Sequence, residues 1–195
     1  MGLIAHRGSI VDASFVEVPR QRNTRDENED IRGGKVPEDW EDDPDKLRQK
    51  DMDARWTKKN GQNYFGYKNH AKVDRKSKLI TNYDTSSANV HDSQKLGDLI
   101  DKSDAHHDLF GDSAYSSEET DKKLKSWKIR NRIHEKGYRD HPLTEGQEER
   151  NRMKSKIRVR IEHVFGFMEN TMKAAFIRCI GGVSAAAAIG LINQT

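Results

Sequence analysis

Three acidic residues stand where acids are ordinarily unwelcome. Asp12 interrupts a short apolar alternation formed by Ile10, Val11, Ala13 and Phe15. Asp112 follows directly on the short apolar pair Leu109-Phe110 and Gly111. Glu162 lies beside a stripe of Ile157, Ile161, Val164, Phe165, Met168 and Met172. Aspartate suits strand interiors poorly, and a buried carboxylate is costly without a partner. The end of a strand, by contrast, is where an α/β sheet usually presents functional groups. Three carboxylates gathered without a cation would repel until one took up a proton, a penalty that divalent ions remove. Mg²⁺ prefers oxygen ligands and keeps positions open for water and phosphate oxygens. Two such ions about 4 Å apart can activate an attacking oxygen and stabilise the leaving one during displacement at phosphorus. Each position taken alone also has a plain structural role: a helix cap for Asp112, a surface ion pair with the nearby arginines for Glu162.

The elements that would have to gather these residues can be read from periodicity. Residues 8–18 alternate as a strand that Pro19 ends. Residues 21–53 are polar, mixed in charge and poor in aliphatics, with Trp40 the one large apolar residue, and are expected to form a flexible insertion. Order resumes at Trp56. Residues 64–73 and 79–86 read as two strands joined by a turn at 74–78, and Asp92 or Ser93 can cap a helix over 94–100. After Leu109-Phe110 a helix capped by Ser116 or Ser117 runs to about Leu124. Residues 127–133 alternate again, with Trp127, Ile129 and Ile133 inward and Lys128, Arg130 and Arg132 outward. Residues 145–172 carry two competing periods, because Arg152, Lys154, Lys156, Arg158 and Arg160 alternate as a strand would. The apolar stripe continues at 3.6 spacing past Phe165, which decides for one long helix. Gly181-Gly182 breaks it, and residues 184–192 form an Ala-rich helix. Strands and helices that alternate after an antiparallel opening indicate an α/β fold with a mixed sheet flanked by helices.

Charge narrows the partners. Of 195 residues, 34% are charged and the net charge is only +3, yet residues 26–53 are acidic while 122–160 are strongly basic. Opposite blocks cancel in the sum and not in the local field, so the second half suits a polyanion. Arg152, Lys154, Lys156, Arg158, Arg160, Lys128 and Arg130 are the candidates for gripping such a polyanion by its charged groups. Cys179, the single cysteine, excludes an intrachain disulfide and a cysteine-rich zinc site, and is expected to pack as a small hydrophobe. His106-His107 read as loop residues rather than metal ligands. No apolar run reaches the roughly 20 residues that span a bilayer, which points to a cytoplasmic, nucleoid-associated protein.

Several stretches in order resemble bacterial insertion-sequence transposases of the DDE class. They are Ile10-Val11-Asp12-Ala13-Ser14, Trp56-Thr57-Lys58-Lys59 through Tyr67-Lys68-Asn69-His70, Asn89-Val90-His91-Asp92-Ser93, Gly111-Asp112-Ser113-Ala114-Tyr115, and Arg158-Val159-Arg160-Ile161-Glu162-His163-Val164-Phe165-Gly166. The resemblance covers nearly the whole chain. It implies an RNase H-like fold in a single domain over 1–195, with Asp12, Asp112 and Glu162 as the catalytic, metal-binding triad. It further implies Mg²⁺, or Mn²⁺ in its place, as two ions, with double-stranded DNA as substrate and a homo-oligomer as the working form. His91 and Asp92 fall in a family motif and are expected to support the triad or touch substrate, the alternative being a helix cap. Tyr115 either meets DNA or packs over the following helix. Around the glutamate the family commonly has Tyr seven residues before, Arg four before and Lys seven after. Here Arg158 fills the second place, while Ser155 and Glu169 stand at the others, so that Lys154, Lys156 or Lys173 would have to compensate. Relative to the family the N-terminal helical region is missing, and the chain is expected to be truncated at both ends. Two functions follow: an active DNA transposase domain that cleaves and joins element ends, or an inert DNA-binding remnant.

Overall fold

The computed structural model describes residues 7–194. A six-stranded mixed sheet forms its centre, in the order β2-β3-β1-β5-β6 with β4 also paired to β3. The strands are β1 (Ser9–Glu17), β2 (Arg55–Lys59), β3 (Gln62–Asp74), β4 (Ile80–Ser87), β5 (Asp108–Gly111) and β6 (Arg130–Ile133). β1 runs antiparallel to β3 and parallel to β5, and β6 continues parallel to β5. Side chains alternate across a strand, so β1 sends Val11 to one face and Ile10 and Asp12 to the other.

Each face is covered by helices. On one, Val11 and Leu109 meet α4 (Asp92–Leu99) and α5 (Glu118–Ser126) through Leu96, Leu99 and Leu124. On the other, Ile10, Ala71, Val73 and Phe110 receive Ile161, Phe165 and Met168 of the 26-residue α6 (Glu145–Asn170). Thr144 and Gln147 close the start of α6 with a reciprocal capping box. The last helix, α7 (Gly182–Gln194), packs with Ala185 and Ile189 against Val16, Val18 and Tyr67. Cys179 is half-buried at the edge of that cluster, as a small hydrophobe. Gly66 lets β3 pass close to β1: its φ is 147°, and a Cβ there would lie 2.4 Å from the Val16 carbonyl oxygen.

The structure departs from the sequence reading in three places. The segment expected to be flexible holds α1 (Arg25–Arg32), α2 (Glu38–Glu41) and α3 (Pro44–Arg48). Trp40 anchors them at 0% exposure, its indole N–H donating to Glu27 at 2.6 Å. Glu27 also closes a capping box with Thr24 and pairs with Lys46, which together hold its carboxyl down at about 2. Second, β2 is a separate strand joined to β3 by a tight turn with positive φ at Asn60 and Gly61. Third, residues 127–129 are not strand. Trp127 is the C-cap of α5 and 37% exposed, and only Ile129 and Ile133 of the expected inward set are buried. The helix runs on to Ser126, and residues 127–129 form its C-cap and the turn that leads into β6.

Candidate active site

The three carboxylates come from three elements. Asp12 projects from the middle of β1 on the α6 face, and its carboxylate is held by the Ala13 N–H at 2.9 Å. Asp112 follows β5 directly and accepts from the Ser113 N–H at 2.6 Å, capping a single turn of 3₁₀ helix. Because β1 and β5 are parallel neighbours, the two aspartates leave the sheet on the same side. Glu162 comes down from α6, one turn after Arg158.

Arg158 is the centre of the arrangement. Its guanidinium lies 3.3 Å from Asp12 Oδ2, 3.6 Å from Asp112 Oδ2 and 2.9 Å from Glu162 Oε1. One cation thus touches three carboxylates separated by up to 150 positions in the chain. Burial pushes the Asp12 carboxyl above its usual range, Arg158 and the Ala13 N–H oppose that, and the charge of Asp112 adds to it. Lys59, from β2, supplies a weaker attraction. His134, just past β6, stands 3.9 Å from Asp112 and contacts Ser155 at 3.3 Å. Burial, and then the charge of Arg158, hold this imidazole below its ordinary range, and Asp112 opposes them.

The three carboxylates, Arg158 and Lys59 line a cleft of about 740 Å³ between α6 and the β2–β3 hairpin. The hairpin wall is built by Tyr64 stacked on Phe15 at 4.2 Å, with the ammonium groups of Lys59 and Lys68 over the Phe15 ring. Lys59, Asn60 and Gln62 fell inside a family-like stretch of the sequence and were given no site role. The signal for them was present: Asn60-Gly61 is the strongest short-range mark of a two-residue hairpin. His134 was read as loop, although it directly follows a strand end.

The other expected residues divide sharply. His91 accepts from the Ser93 N–H and caps α4, and it does not line the cleft. Asp92 pairs with Lys68 at 2.7 Å and so reaches the cleft only through the lysine that lies over Phe15. Tyr115 is buried beneath Gly111 in the α4–α5 core, which excludes stacking on a bound partner. Lys154 is engaged by the Ile133 carbonyl and by Glu135. Arg130 is paired with Asp108, while Lys128 is exposed in the left-handed region after α5. Arg152 and Lys156 are exposed on α6 with no carboxylate partner among the described residues. Arg160 points away from the cleft. Glu169 lines it, where the family has a lysine, and Lys59 is the cation that faces it from the opposite wall.

A carboxylate set of this kind suits an oxygen-preferring divalent ion, and two of the three side chains are about half exposed toward the cleft. Among the described residues no three His, Cys, Asp or Glu groups surround a single point at ligand distance. The guanidinium of Arg158 stands between the carboxylates and would have to turn aside for an ion to reach them together.

A mixed sheet with one aspartate in β1, a second just beyond the parallel neighbour β5 and a glutamate on the covering helix has the form of an RNase H-like domain. The comparisons agree. The fold is shared with the piggyBac transposase in a synaptic complex with hairpin DNA, at a TM-score of 0.52 and 10% identity over 96% of this chain and 45% of that one. The family model for the Transposase DDE domain matches residues 4–193. The chain is also 32% identical over 171 residues to the transposase for insertion sequence element IS1106 of Neisseria meningitidis serogroup B, which covers 86% of this chain and 55% of that protein. This chain belongs to the DDE transposase family, whose members use divalent metal ions. It spans about half the length of the curated relative it matches. No helix among the described residues is long and apolar enough to cross a membrane.

Proposed function

We propose that this chain is the catalytic domain of an insertion-sequence DNA transposase, cleaving phosphodiesters at element ends and joining the freed 3′-hydroxyl to target DNA. The observation that carries the reading is that Asp12, Asp112 and Glu162 all meet the guanidinium of Arg158 in one open cleft. The three carboxylates would hold Mg²⁺, or Mn²⁺ in its place, as two ions, which when bound supply Lewis-acid activation of the attacking oxygen and stabilisation of the leaving one. The chain's own part is positioning and charge neutralisation, with no protein nucleophile. The backbone N–H groups of Ala13 and Ser113 fix the two aspartates in direction. Arg158, released from the carboxylates, is placed to grip a phosphate of the bound strand. Lys59 faces the same strand from the hairpin wall, in the role that Glu169 cannot fill. Arg152 and Lys156 contact phosphates beyond the cleft, and the working form is a homo-oligomer on double-stranded DNA.

The test is nicking of an end-bearing duplex in Mg²⁺ or Mn²⁺. Asp112→Asn is expected to bind DNA and to lose at least about a hundred-fold in rate, the scale for removing one preorganised charge-stabilising group. A variant that nicks as fast as the wild type refutes the assignment. A joining assay with pre-cleaved ends then separates a transposase from a nuclease of the same fold.

A further inference from the structure

A second cleft, of about 530 Å³, opens on the far flank of α6. Two residues along a helix are about 200° apart, so Arg160 points away from the flank that carries Arg158 and Glu162. Along β5, Asp108 and Asp112 are separated by four residues, roughly 13 Å, and lie at opposite ends of the strand. The catalytic groups gather at one end, and this second cleft lies at the other.

Its lining is overwhelmingly cationic. Asp108 is its sole carboxylate, and three guanidinium groups already crowd it: Arg130 at 3.0 Å, Arg132 at 3.2 Å and Arg75 at 3.8 Å. Arg7, Lys76 and Arg160 stand beside them with no carboxylate in salt-bridge range among the described residues. Arg160 donates to the Arg75 backbone carbonyl, a contact that orients the guanidinium and leaves its charge uncompensated. Arg75 is itself fixed over the Phe110 ring. Five lining cations, with Arg132 also drawn to Asp108, face that one carboxylate and repel one another unless an anion joins them. The cations come from the start of β1, the β3–β4 turn, β6 and α6. They rim an open space many times the ~30 Å³ of a water molecule, and so fit a run of phosphates rather than one caged ion.

We infer that this cleft is a second, non-catalytic binding site for the phosphate backbone of duplex DNA, holding it on the flank of α6 opposite the carboxylates. The inference rests on the proposed action on DNA. It assigns the basic residues of α6 to two separate tracks, Arg158 to the strand being cut and Arg160 to DNA held outside the cleft.

The experiment measures binding of a fluorescent duplex to the full chain by anisotropy between about 50 and 200 mM KCl. Each phosphate contact contributes about 0.9 to the slope of log affinity against log salt. The double variant Lys76→Gln with Arg130→Gln, both exposed positions, is expected to lower that slope by about two. Its affinity would then fall about ten-fold less than the wild type's across that range. Lys122→Gln with Lys125→Gln removes the same charge from α5, on the other face of the sheet, and is expected to keep the wild-type slope. Inorganic phosphate at constant ionic strength is expected not to displace the duplex. Duplex binding with an unchanged slope in the Lys76–Arg130 variant overturns the site and leaves the proposed function standing. An equal loss in the α5 control overturns it as well, since net charge alone would then be read out. Displacement by phosphate, removed in the Lys76–Arg130 variant, reassigns the cleft to a small anion and overturns the DNA site. Failure of the wild type to bind any duplex overturns both readings.

Discussion

Arg158 makes the metal affinity of the site a quantity that can be reasoned out before it is measured. With three carboxylates around one guanidinium, the cluster carries a net charge of −2 when all are ionised. An entering divalent ion must displace the guanidinium from contacts it already has. The pairs with Asp112 and Glu162 are about half exposed on the acid side and are worth roughly 0.2–1 kcal/mol each. The Asp12 pair is more buried and, as a charge-assisted contact, is worth roughly 1.5–3 kcal/mol. Displacement therefore costs about 2–5 kcal/mol, and at about 1.4 kcal/mol per factor of ten even the lower figure exceeds ten-fold in affinity. Arg158→Met keeps an apolar stem and removes the competing charge. Titration with Mn²⁺, followed by calorimetry or by the loss of the free-ion paramagnetic signal, is expected to show at least about ten-fold tighter binding in this variant. Its metal-free form is expected to be less stable and to gain more from saturating Mn²⁺ than the wild type does, as mass action requires. Nicking is expected to fall despite the tighter ion, because the phosphate has lost its guanidinium. Equal or weaker Mn²⁺ binding in Arg158→Met would show that the guanidinium does not compete for the carboxylates.

Two further outcomes follow from residues remote from the cleft. His70 is fully buried and bonded to Ser86, and burial holds its imidazole down at about 4, against 6.5 in an unfolded chain. The folded state thus takes up this proton less readily. Its contribution is fully present above pH 6.5 and is lost as pH falls toward 4, by about 3 kcal/mol in all. Urea unfolding at pH 7 and pH 4.5 should show a shallower acid loss in His70→Gln than in the wild type, and parallel losses would rule out His70 as the source. Trp40→Ala removes the largest buried side chain of the 21–53 helices, and large aromatic truncations of this kind cost about 3–5 kcal/mol. Trypsin is expected to cut that segment much faster in the variant, whereas a wild type already cut at the same rate would mean that the helices are not held.

Much of the framework could be read without coordinates. The strand around Asp12, the 74–78 turn, the long helix and the Ala-rich helix all follow from periodicity and turn chemistry, which are local properties. Some misses were also local. Thr24 with Glu27 is a capping box, and Asn60-Gly61 a hairpin turn, both written in the sequence and outweighed by the polarity of their surroundings. Trp127 misled because alternation does not distinguish a strand from the final turn of an amphipathic helix.

The composition of the site belongs to another level. Residue order alone marks Asp12, Asp112 and Glu162 as misplaced acids, and it sets Arg158 and Arg160 on different sides of one helix. It does not say where that helix crosses the sheet, since the crossing depends on Ile161 and Phe165 finding Ile10 and Phe110, contacts made across large separations in the chain. That crossing put Arg158 among the carboxylates and Arg160 beside Arg75. It left Lys154 committed to Glu135, and Arg130 sharing the one carboxylate of Asp108 with Arg75 and Arg132. Charge is a property of residues, whereas a free charge is a property of neighbours, and only the folded chain decides which neighbours meet.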